Sequence, residues 1–288
     1  MSTIYKNKNV KEELMLLYEQ KLKSLNIVFK EIDIDSSFGR TRVIKAGNEK
    51  GKQIVLFHGY NAGSPLTLEA VKELTFEYCL FAIDTIGQAT KSENTTIDIH
   101  DDSFAIWADQ VLEKLSITKA NIVGISYGAF IVQKLMIHKP AKIAKSILVV
   151  PSGIVSGNIW DAITKLSIPL LRFKTTKKEE HLIKFIDAFQ PNDDDFISKM
   201  LKLIITGVKL DTKIPKLLKR KQVEHFNKPV YIITASNDVY FPSKKIKKRS
   251  ENLFNDLREV YELKGSKHMP SKKYYTDIQR IVKKWIEE

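Results

Sequence analysis

Several features are scarce in this sequence of 288 residues, and each scarcity excludes a class of protein. No apolar run reaches the ~20 residues that cross a bilayer, so no membrane span is predicted. The single cysteine, Cys79, excludes an internal disulfide framework, and its apolar neighbours predict a buried thiol. Residues 1–9 contain no apolar core of a signal peptide. We therefore expect a cytoplasmic protein.

Arginine is scarce as well, although the net charge is +13. Only seven of the 47 basic residues are arginines, and lysines are spread over most of the predicted helices. The densest basic runs, residues 216–221 and 244–249, lie in segments with helical character, where a solvated outer face explains them. We expect no nucleic-acid partner, and nothing in the sequence indicates an oligomeric state.

Metal-ligand spacing is also missing, because no histidine pairs with another histidine or with the cysteine at the expected distance. His100 lies among Asp98, Asp101 and Asp102, but acidic residues at a predicted helix start are explained by capping and by the helix dipole. The other histidines outside the motifs described below are His138, His181 and His225. We expect neither a metal ion nor a cofactor.

The sequence does contain the pentapeptide Gly-Ile-Ser-Tyr-Gly at residues 124–128. Residues 120–123 before it predict a buried strand, and residues 129–138 after it predict a helix that ends before Pro140. Glycines let the backbone turn sharply between the two elements. The serine hydroxyl then stands beside a helix N-terminus whose N–H groups stabilise an oxyanion, which makes Ser126 a candidate nucleophile.

Two more polar residues follow predicted strands nearer the C-terminus. Asp238 lies just beyond an apolar strand predicted over residues 229–235, and a shorter strand precedes the turn-rich loop that contains His268. Catalytic residues of open α/β sheets lie at the carboxyl ends of parallel strands. Ser126, Asp238 and His268 are therefore predicted to meet as nucleophile, acid and base, with Asp256 as the alternative acid.

Strands and helices are predicted to alternate along the first half of the chain, after an N-terminal helix and a β-hairpin. This alternation predicts crossover connections and a mostly parallel sheet. It stops after Val150, and only helices are predicted from there to the strand at Pro229. We therefore divide the chain into core residues 1–152, a helical insertion at residues 153–227, and core residues 228–288.

Four helices are predicted within the insertion, at residues 160–168, 178–189, 194–206 and 213–224. Pro169 is expected to end the first of them. Trp160, at the start of that first helix, is the candidate substrate contact, because aromatic side chains offer the largest apolar surface. An anchor between the insertion and the sheet is the alternative role for Trp160.

These motifs together resemble the α/β-hydrolase fold from about residue 27 to residue 285, and they are most similar to small lid-bearing bacterial carboxylesterases. The segments that carry the resemblance are residues 57–60, residues 83–87, the turn at Ser126, Asp238 and His268. One departure concerns residues 87–92, which lack the second glycine of the family's Asp-x-x-Gly-x-Gly-x-Ser motif and are one residue longer. This departure affects the subfamily and leaves the predicted triad intact.

The resemblance implies a mostly parallel central sheet flanked by helices, with the insertion as a lid. It also implies that the backbone N–H groups of Tyr60 and Tyr127 form the oxyanion hole, and that His58 orients this loop. The implied reaction is hydrolysis of a carboxylic ester or thioester of a small hydrophobic acyl substrate through an acyl-enzyme. Alternatives with the same triad are a carbon–carbon bond hydrolase, an aminopeptidase or a perhydrolase. A ligand receptor without turnover is the alternative of a different class.

Overall fold

The structure is a computed structural model that describes residues 3–191, 194–211 and 213–288. Eight strands form its central sheet. They are β1 (Phe29–Ser36), β2 (Gly39–Gly47), β3 (Gln53–Phe57), β4 (Cys79–Ile83), β5 (Ala120–Ile125), β6 (Ile143–Val149), β7 (Val230–Ala235) and β8 (Leu257–Leu263). Their spatial order is β1-β2-β4-β3-β5-β6-β7-β8.

The sheet is antiparallel at one edge and parallel elsewhere. The hairpin β1–β2 and the pair β2–β4 are antiparallel, whereas every pair from β4 to β8 is parallel. Strands β4 and β7 are buried along their whole length, which explains why they form continuous apolar runs without alternation. The mostly parallel sheet predicted from the sequence is confirmed.

Helices cover both faces of this sheet. The core helices are α1 (Lys8–Ser24), α2 (Gly63–Val71), α3 (Ser103–Lys114), α4 (Tyr127–His138), α10 (Ser243–Leu253) and α11 (Tyr275–Glu287). On one face, Trp107 of α3 and Ile131 of α4 belong to a single large apolar cluster. On the other face, Leu68 of α2 and Trp285 of α11 belong to a second cluster. Burial of these apolar side chains fixes the three layers.

The connection from β6 to β7 contains the remaining helices, so the predicted boundaries at residues 153 and 227 fall within it. These helices are α5 (Ile159–Asp161), α6 (Ile168–Thr176), α7 (Glu179–Asp187), α8 (Asp195–Gly207) and α9 (Arg220–Val223). Among the described residues, no helix combines the length and apolarity that crossing a bilayer requires.

The prediction that Pro169 ends the first insertion helix is wrong. A π-helical stretch, Ala162–Ser167, joins α5 to α6, and Pro169 occupies the second position of α6. A π-helix bonds residues five apart, so its wider turn accommodates the proline ring and the missing N–H. Helical structure therefore runs without a break from Ile159 to Thr176.

The helix predicted over residues 213–224 is also mostly wrong, because only Arg220–Val223 is helical. Pro215 interrupts the segment before α9 and disfavours helical conformation at the residue that precedes it. Leu218 is buried, and its N–H donates to the carbonyl of Gly153 at 2.7 Å. The basic run at residues 216–221 is therefore only partly helical, whereas the run at residues 244–249 lies within α10.

Candidate active site

A sharp turn between β5 and α4 presents the side chain of Ser126. The serine has φ 51° and ψ −108°, a conformation that costs energy in a residue with a Cβ atom. A Cβ atom on Gly124 would lie 2.6 Å from the carbonyl oxygen of Gly128, and one on Gly128 would lie 2.1 Å from that of Phe57. Both flanking positions therefore require glycine. The Ser126 N–H donates to the Val149 carbonyl at 2.8 Å and holds the turn against β6.

The structure brings Ser126, His268 and Asp238 into one hydrogen-bonded chain. Ser126 Oγ lies 2.9 Å from His268 Nε2, and His268 Nδ1 lies 2.8 Å from Asp238 Oδ2. The second carboxylate oxygen of Asp238 accepts the N–H groups of Tyr240 and Phe241 at 2.8 and 3.0 Å. A carboxylate can only accept from Nδ1–H, which leaves Nε2 as the acceptor that faces the serine hydroxyl.

Neighbouring strand ends place the acid beside the base. Strands β7 and β8 are parallel, with Ala235 opposite Leu263 at their carboxyl ends. Beyond these ends the two loops remain connected, because the N–H of Asn237 donates to the carbonyl of Ser266 at 2.9 Å. The loops that carry Asp238 and His268 are thereby fixed relative to each other.

Asp256, the alternative acid, lies at the other end of the sheet. Its carbonyl accepts the N–H of Val230, the first residue of β7, and its carboxylate forms an ion pair with Arg258 at 2.5 Å. Asp238 lies beyond the last residue of the same strand. The geometry therefore favours Asp238 as the partner of His268.

Aromatic rings surround the imidazole of His268. The rings of Tyr240 and Phe241 lie edge-on to it, with centroids 5.0 and 5.3 Å away. These two residues also donate the N–H groups that hold the Asp238 carboxylate. The sequence prediction missed both of them, although their position two and three residues after an aspartate is a recognisable signal for such side chain to backbone bonding.

The loop after β3 passes beside the serine. A Cβ atom on Gly59 would lie 3.7 Å from Cβ of Ser126. The rings of Tyr60 and Tyr127 pack together, with centroids 5.5 Å apart. Within the described ranges, neither tyrosine's N–H donates a hydrogen bond to another protein atom. The two unused donors thus belong to the residues directly after Gly59 and directly after Ser126, and their role as an oxyanion hole stays a prediction.

The His58 ring connects the loop after β3 to the loop after β4. Its Nε2 accepts the N–H of Thr85 at 2.8 Å, so Nδ1 carries the proton and donates to the Gly59 carbonyl at 2.7 Å. Complete burial lowers the pKa of His58 and favours this neutral form. With both ring nitrogens occupied, His58 has no nitrogen left to exchange a proton with a substrate.

The segment at residues 87–92, which departs from the motif named above, also holds the loop after β3 in place. Gln88 Oε1 accepts the N–H of Asn61 at 2.6 Å, and Asn61 Oδ1 accepts the N–H of Ala89 at 2.7 Å. Both amide side chains are buried, where such hydrogen bonds resist exchange with water. Residues 88 and 89 of the loop after β4 therefore form a reciprocal pair of hydrogen bonds with Asn61 in the loop after β3.

An apolar cavity of about 430 Å³ opens onto Ser126 and His268. Its walls come from both the core and the insertion. The insertion contributes Phe185, Phe189, Ile197, Met200, Leu201, Ile204, Ile205 and Leu210. Among the described lining residues there is no lysine, arginine, aspartate or glutamate. The cavity therefore suits a neutral, hydrophobic group next to the serine.

Known proteins share parts of this sequence and the whole of this architecture. A family model described as "alpha/beta hydrolase fold" matches residues 52–167. The crystal structure of naproxen esterase (carboxylesterase NP) from Bacillus subtilis superposes with a TM-score of 0.84 at 18% identity, covering 98% of this chain and 99% of that one. The chain has the α/β-hydrolase fold.

Two curated carboxylesterases of Bacillus subtilis (strain 168) are similar to this chain over 135 residues. The uncharacterized carboxylesterase nap is 25% identical there, over 47% of this chain and 45% of that protein. Carboxylesterase YbfK is 22% identical over 47% of this chain and 46% of that protein. The matched segment thus spans a little under half the length of these relatives.

Within this α/β-hydrolase fold, the predicted substrate contact at Trp160 is not supported. Its side chain is 71% exposed and is not among the residues that line the cavity. High exposure also argues against the alternative role of a core anchor. The insertion side chains that reach the cavity lie instead on α7 and α8 and, for Phe189 and Leu210, just after each of these helices. Helical periodicity identifies the apolar face of each helix but gives no information on which helix contacts the active site.

The acidic cluster near His100 is occupied by local hydrogen bonds. Asp98 accepts the N–H of His100, and Asp101 accepts the N–H of Ser103, each at 2.9 Å. Asp102 lies 3.0 Å from Nε2 of His138. Across the described ranges, no group of three or more histidine, cysteine, aspartate or glutamate side chains has the arrangement of a metal site.

Proposed function

We propose that this protein is a serine hydrolase that cleaves a carboxylic ester or thioester of a small hydrophobic acyl substrate. The observation that carries the proposal is the hydrogen-bonded chain from Ser126 through His268 to Asp238, which ends at an apolar cavity. The similarity to proteins named as carboxylesterases supports the same reaction class.

In the proposed mechanism, Ser126 Oγ attacks the acyl carbon while His268 Nε2 takes the hydroxyl proton. Asp238 holds the imidazole in the required tautomer and stabilises the imidazolium that forms. His268 then gives its proton to the leaving alcohol or thiol, and the acyl group stays on the serine. Water deprotonated by His268 releases the acid and restores the enzyme.

The negative charge of each tetrahedral intermediate needs donors that are already in place. We assign this role to the N–H groups of Tyr60 and Tyr127, because both flank Ser126 and neither is used within the described part of the chain. Such a donor typically contributes about 3 kcal/mol to transition-state stabilisation. The hydrogen bonds of His58, Asn61 and Gln88 keep the Tyr60 loop in position.

We assign the acyl group of the substrate to the cavity and the insertion to the role of a lid. The cavity volume of about 430 Å³ matches that of a small-molecule site, and its lining is apolar. Substrate preference then depends on α7 and α8, which supply most of its insertion wall. The boundaries of the lid and a location in the cytoplasm remain predictions from the sequence.

Purified protein assayed with a series of p-nitrophenyl esters of increasing acyl length tests the proposal. We expect saturable hydrolysis with a preference set by the cavity, and no hydrolysis by the Ser126→Ala variant. A parallel thioester series, with amide and peracid assays, distinguishes the alternatives that share the triad. Saturable binding of the same acyl compounds without any turnover would instead indicate a receptor and contradict the proposal.

A further inference from the structure

The outermost part of the insertion has an apolar face that is exposed to solvent. This outer helix runs continuously from Ile159 to Thr176 through α5, the π-helical stretch and α6. Large apolar residues with substantial exposure recur along it, namely Ile159, Trp160, Ile163, Ile168 and Leu171. Trp160 and Leu171 are 71% and 62% exposed. The cost of solvating so many large apolar side chains on one helix indicates a binding surface.

Positive charge accompanies this apolar face. Arg172 and Lys174 lie in the last turns of the outer helix, and Lys177 and Lys178 follow directly after it. Within the described ranges, none of the four has a carboxylate at ion-pair distance. Tryptophan, leucine and isoleucine on one face with unpaired basic residues beside them are typical of a helix that lies in a membrane interface.

The opposite face of the outer helix leads toward the active site. Leu166 is buried and Phe173 is partly buried, and both pack in a cluster with Leu182 and Phe185 of α7. Phe185 also lines the cavity that opens onto Ser126. The cluster beneath the outer helix therefore includes a residue of the cavity wall.

We propose that the outer helix is a docking surface for an anionic lipid membrane. The apolar face enters the acyl boundary while the four basic residues contact phosphate groups, and the net charge of +13 adds a long-range attraction. Docking on a second copy is less favourable, because each copy carries the same net charge of +13 and two copies repel each other. If the proposed hydrolase activity is also present, docking places the cavity next to lipophilic esters dissolved in the bilayer.

The three tryptophans provide a direct measurement. Trp107 and Trp285 are fully buried, so the fluorescence response to vesicles comes from Trp160. Vesicles of phosphatidylcholine and phosphatidylglycerol in equal parts should shift the emission of the full chain to shorter wavelength and sediment it. Pure phosphatidylcholine vesicles should do so weakly, and salt should reverse the binding. No shift and no sedimentation with the anionic vesicles would overturn the proposal.

A matched pair of variants tests the location of the surface. Leu171→Asp should lower the vesicle partition coefficient about tenfold or more, because it removes an inserted apolar side chain and adds a repelled charge. Leu16→Asp makes the same substitution on α1, where the leucine is 56% exposed, and should leave partition near the unchanged level. Equal effects of the two variants would overturn the proposal.

Sedimentation velocity separates membrane docking from self-association. We expect a monomer, or an oligomer that Leu171→Asp leaves intact. An oligomer that Leu171→Asp dissociates would assign the face to a second copy and contradict docking. Circular dichroism and hydrolysis of a short water-soluble ester check that Leu171→Asp is folded. Because vesicle binding requires no turnover, its failure is distinguishable from a failure of the proposed hydrolase activity.

Discussion

The cavity has two sides that are built from different interactions. The core side carries Ser126, His268 and Asp238. Hydrogen bonds that involve the main chain hold these residues in place, such as those to the Asp238 carboxylate. The insertion side consists of apolar side chains from α7, from α8 and from the residues just after each of them. Directional hydrogen bonds specify positions closely, whereas apolar packing tolerates volume-conserving substitutions. Under the proposed function, the reacting groups are therefore closely positioned, and the substrate preference can change with the insertion.

The largest expected effect comes from removing the nucleophile on the core side. Ser126→Ala should lower kcat by a factor on the order of 10⁶, because the triad acts as a unit. The melting temperature should stay close to that of the unmodified protein, since the hydroxyl contributes little packing. Steady-state kinetics on the preferred ester and thermal unfolding measure the two quantities. Residual activity above a few per cent, with contamination excluded, would remove Ser126 from the mechanism.

The next largest effect on kcat is expected from changing Asp238, the proposed acid. Asp238→Asn should lower kcat about 10⁴-fold, because the amide donates to Nδ1 and so favours the wrong imidazole tautomer. Asp256→Asn is the control, since Asp256 lies at the opposite end of β7 and pairs with Arg258. Its kcat should be unchanged. The reverse outcome, with Asp256→Asn inactive and Asp238→Asn normal, would contradict the assignment of the acid.

A smaller and different effect is expected on the insertion side. Leu201→Ala enlarges the cavity and should shift the ratio of kcat/KM between medium and short acyl esters by about 1–3 kcal/mol per methylene-sized change. Trp160→Ala should leave the chain-length preference for soluble esters unchanged, because Trp160 lies outside the cavity lining. A changed preference in Trp160→Ala with none in Leu201→Ala would show that the cavity has been assigned to the wrong helices.

The smallest effect on kcat is expected at the contact between the core side and the insertion side of the cavity. The Tyr60 hydroxyl accepts the N–H of Asp211 at 2.8 Å and donates to its carbonyl at 3.3 Å, which connects the insertion to the loop after β3. Tyr60→Phe should lower kcat about three- to tenfold with little change in KM, as expected for about 0.5–1.5 kcal/mol. Tyr78→Phe is the control, because it loses a hydroxyl contact to Glu287 far from the site. Equal losses of kcat in the two variants would refute a specific role for the Tyr60 contact.

The same contrast explains how much of the structure could be predicted from the sequence. Continuous apolar runs identify β4 and β7, and the glycines beside Ser126 identify a turn that other residues would obstruct. Strand ends then locate Asp238 and His268, because parallel strands end at one edge of a sheet. These features depend on residues that are close together in the chain, so they can be predicted from a single sequence.

The insertion was predicted less well because its arrangement depends on tertiary contacts. Pro169 lies inside a helical run because a π-helical stretch accommodates it, and the sequence pattern does not predict that stretch. Leu218 lies outside any helix where a helix was predicted, because its N–H donates to the carbonyl of Gly153, which is distant in the chain. Trp160 has the size expected of a pocket wall, but its helix buries Leu166 and partly buries Phe173 and leaves Trp160 exposed.

The central claim is that Ser126 is an activated nucleophile, and labelling with a fluorophosphonate probe tests it most directly. Peptide mass spectrometry should find one adduct, on Ser126, because phosphonylation requires the serine, its base and the oxyanion donors together. Prior incubation with a hydrophobic ester substrate should slow the labelling, and His268→Ala should lose it. An adduct on another serine, or a protein that stays unlabelled while it hydrolyses esters, would contradict the claim.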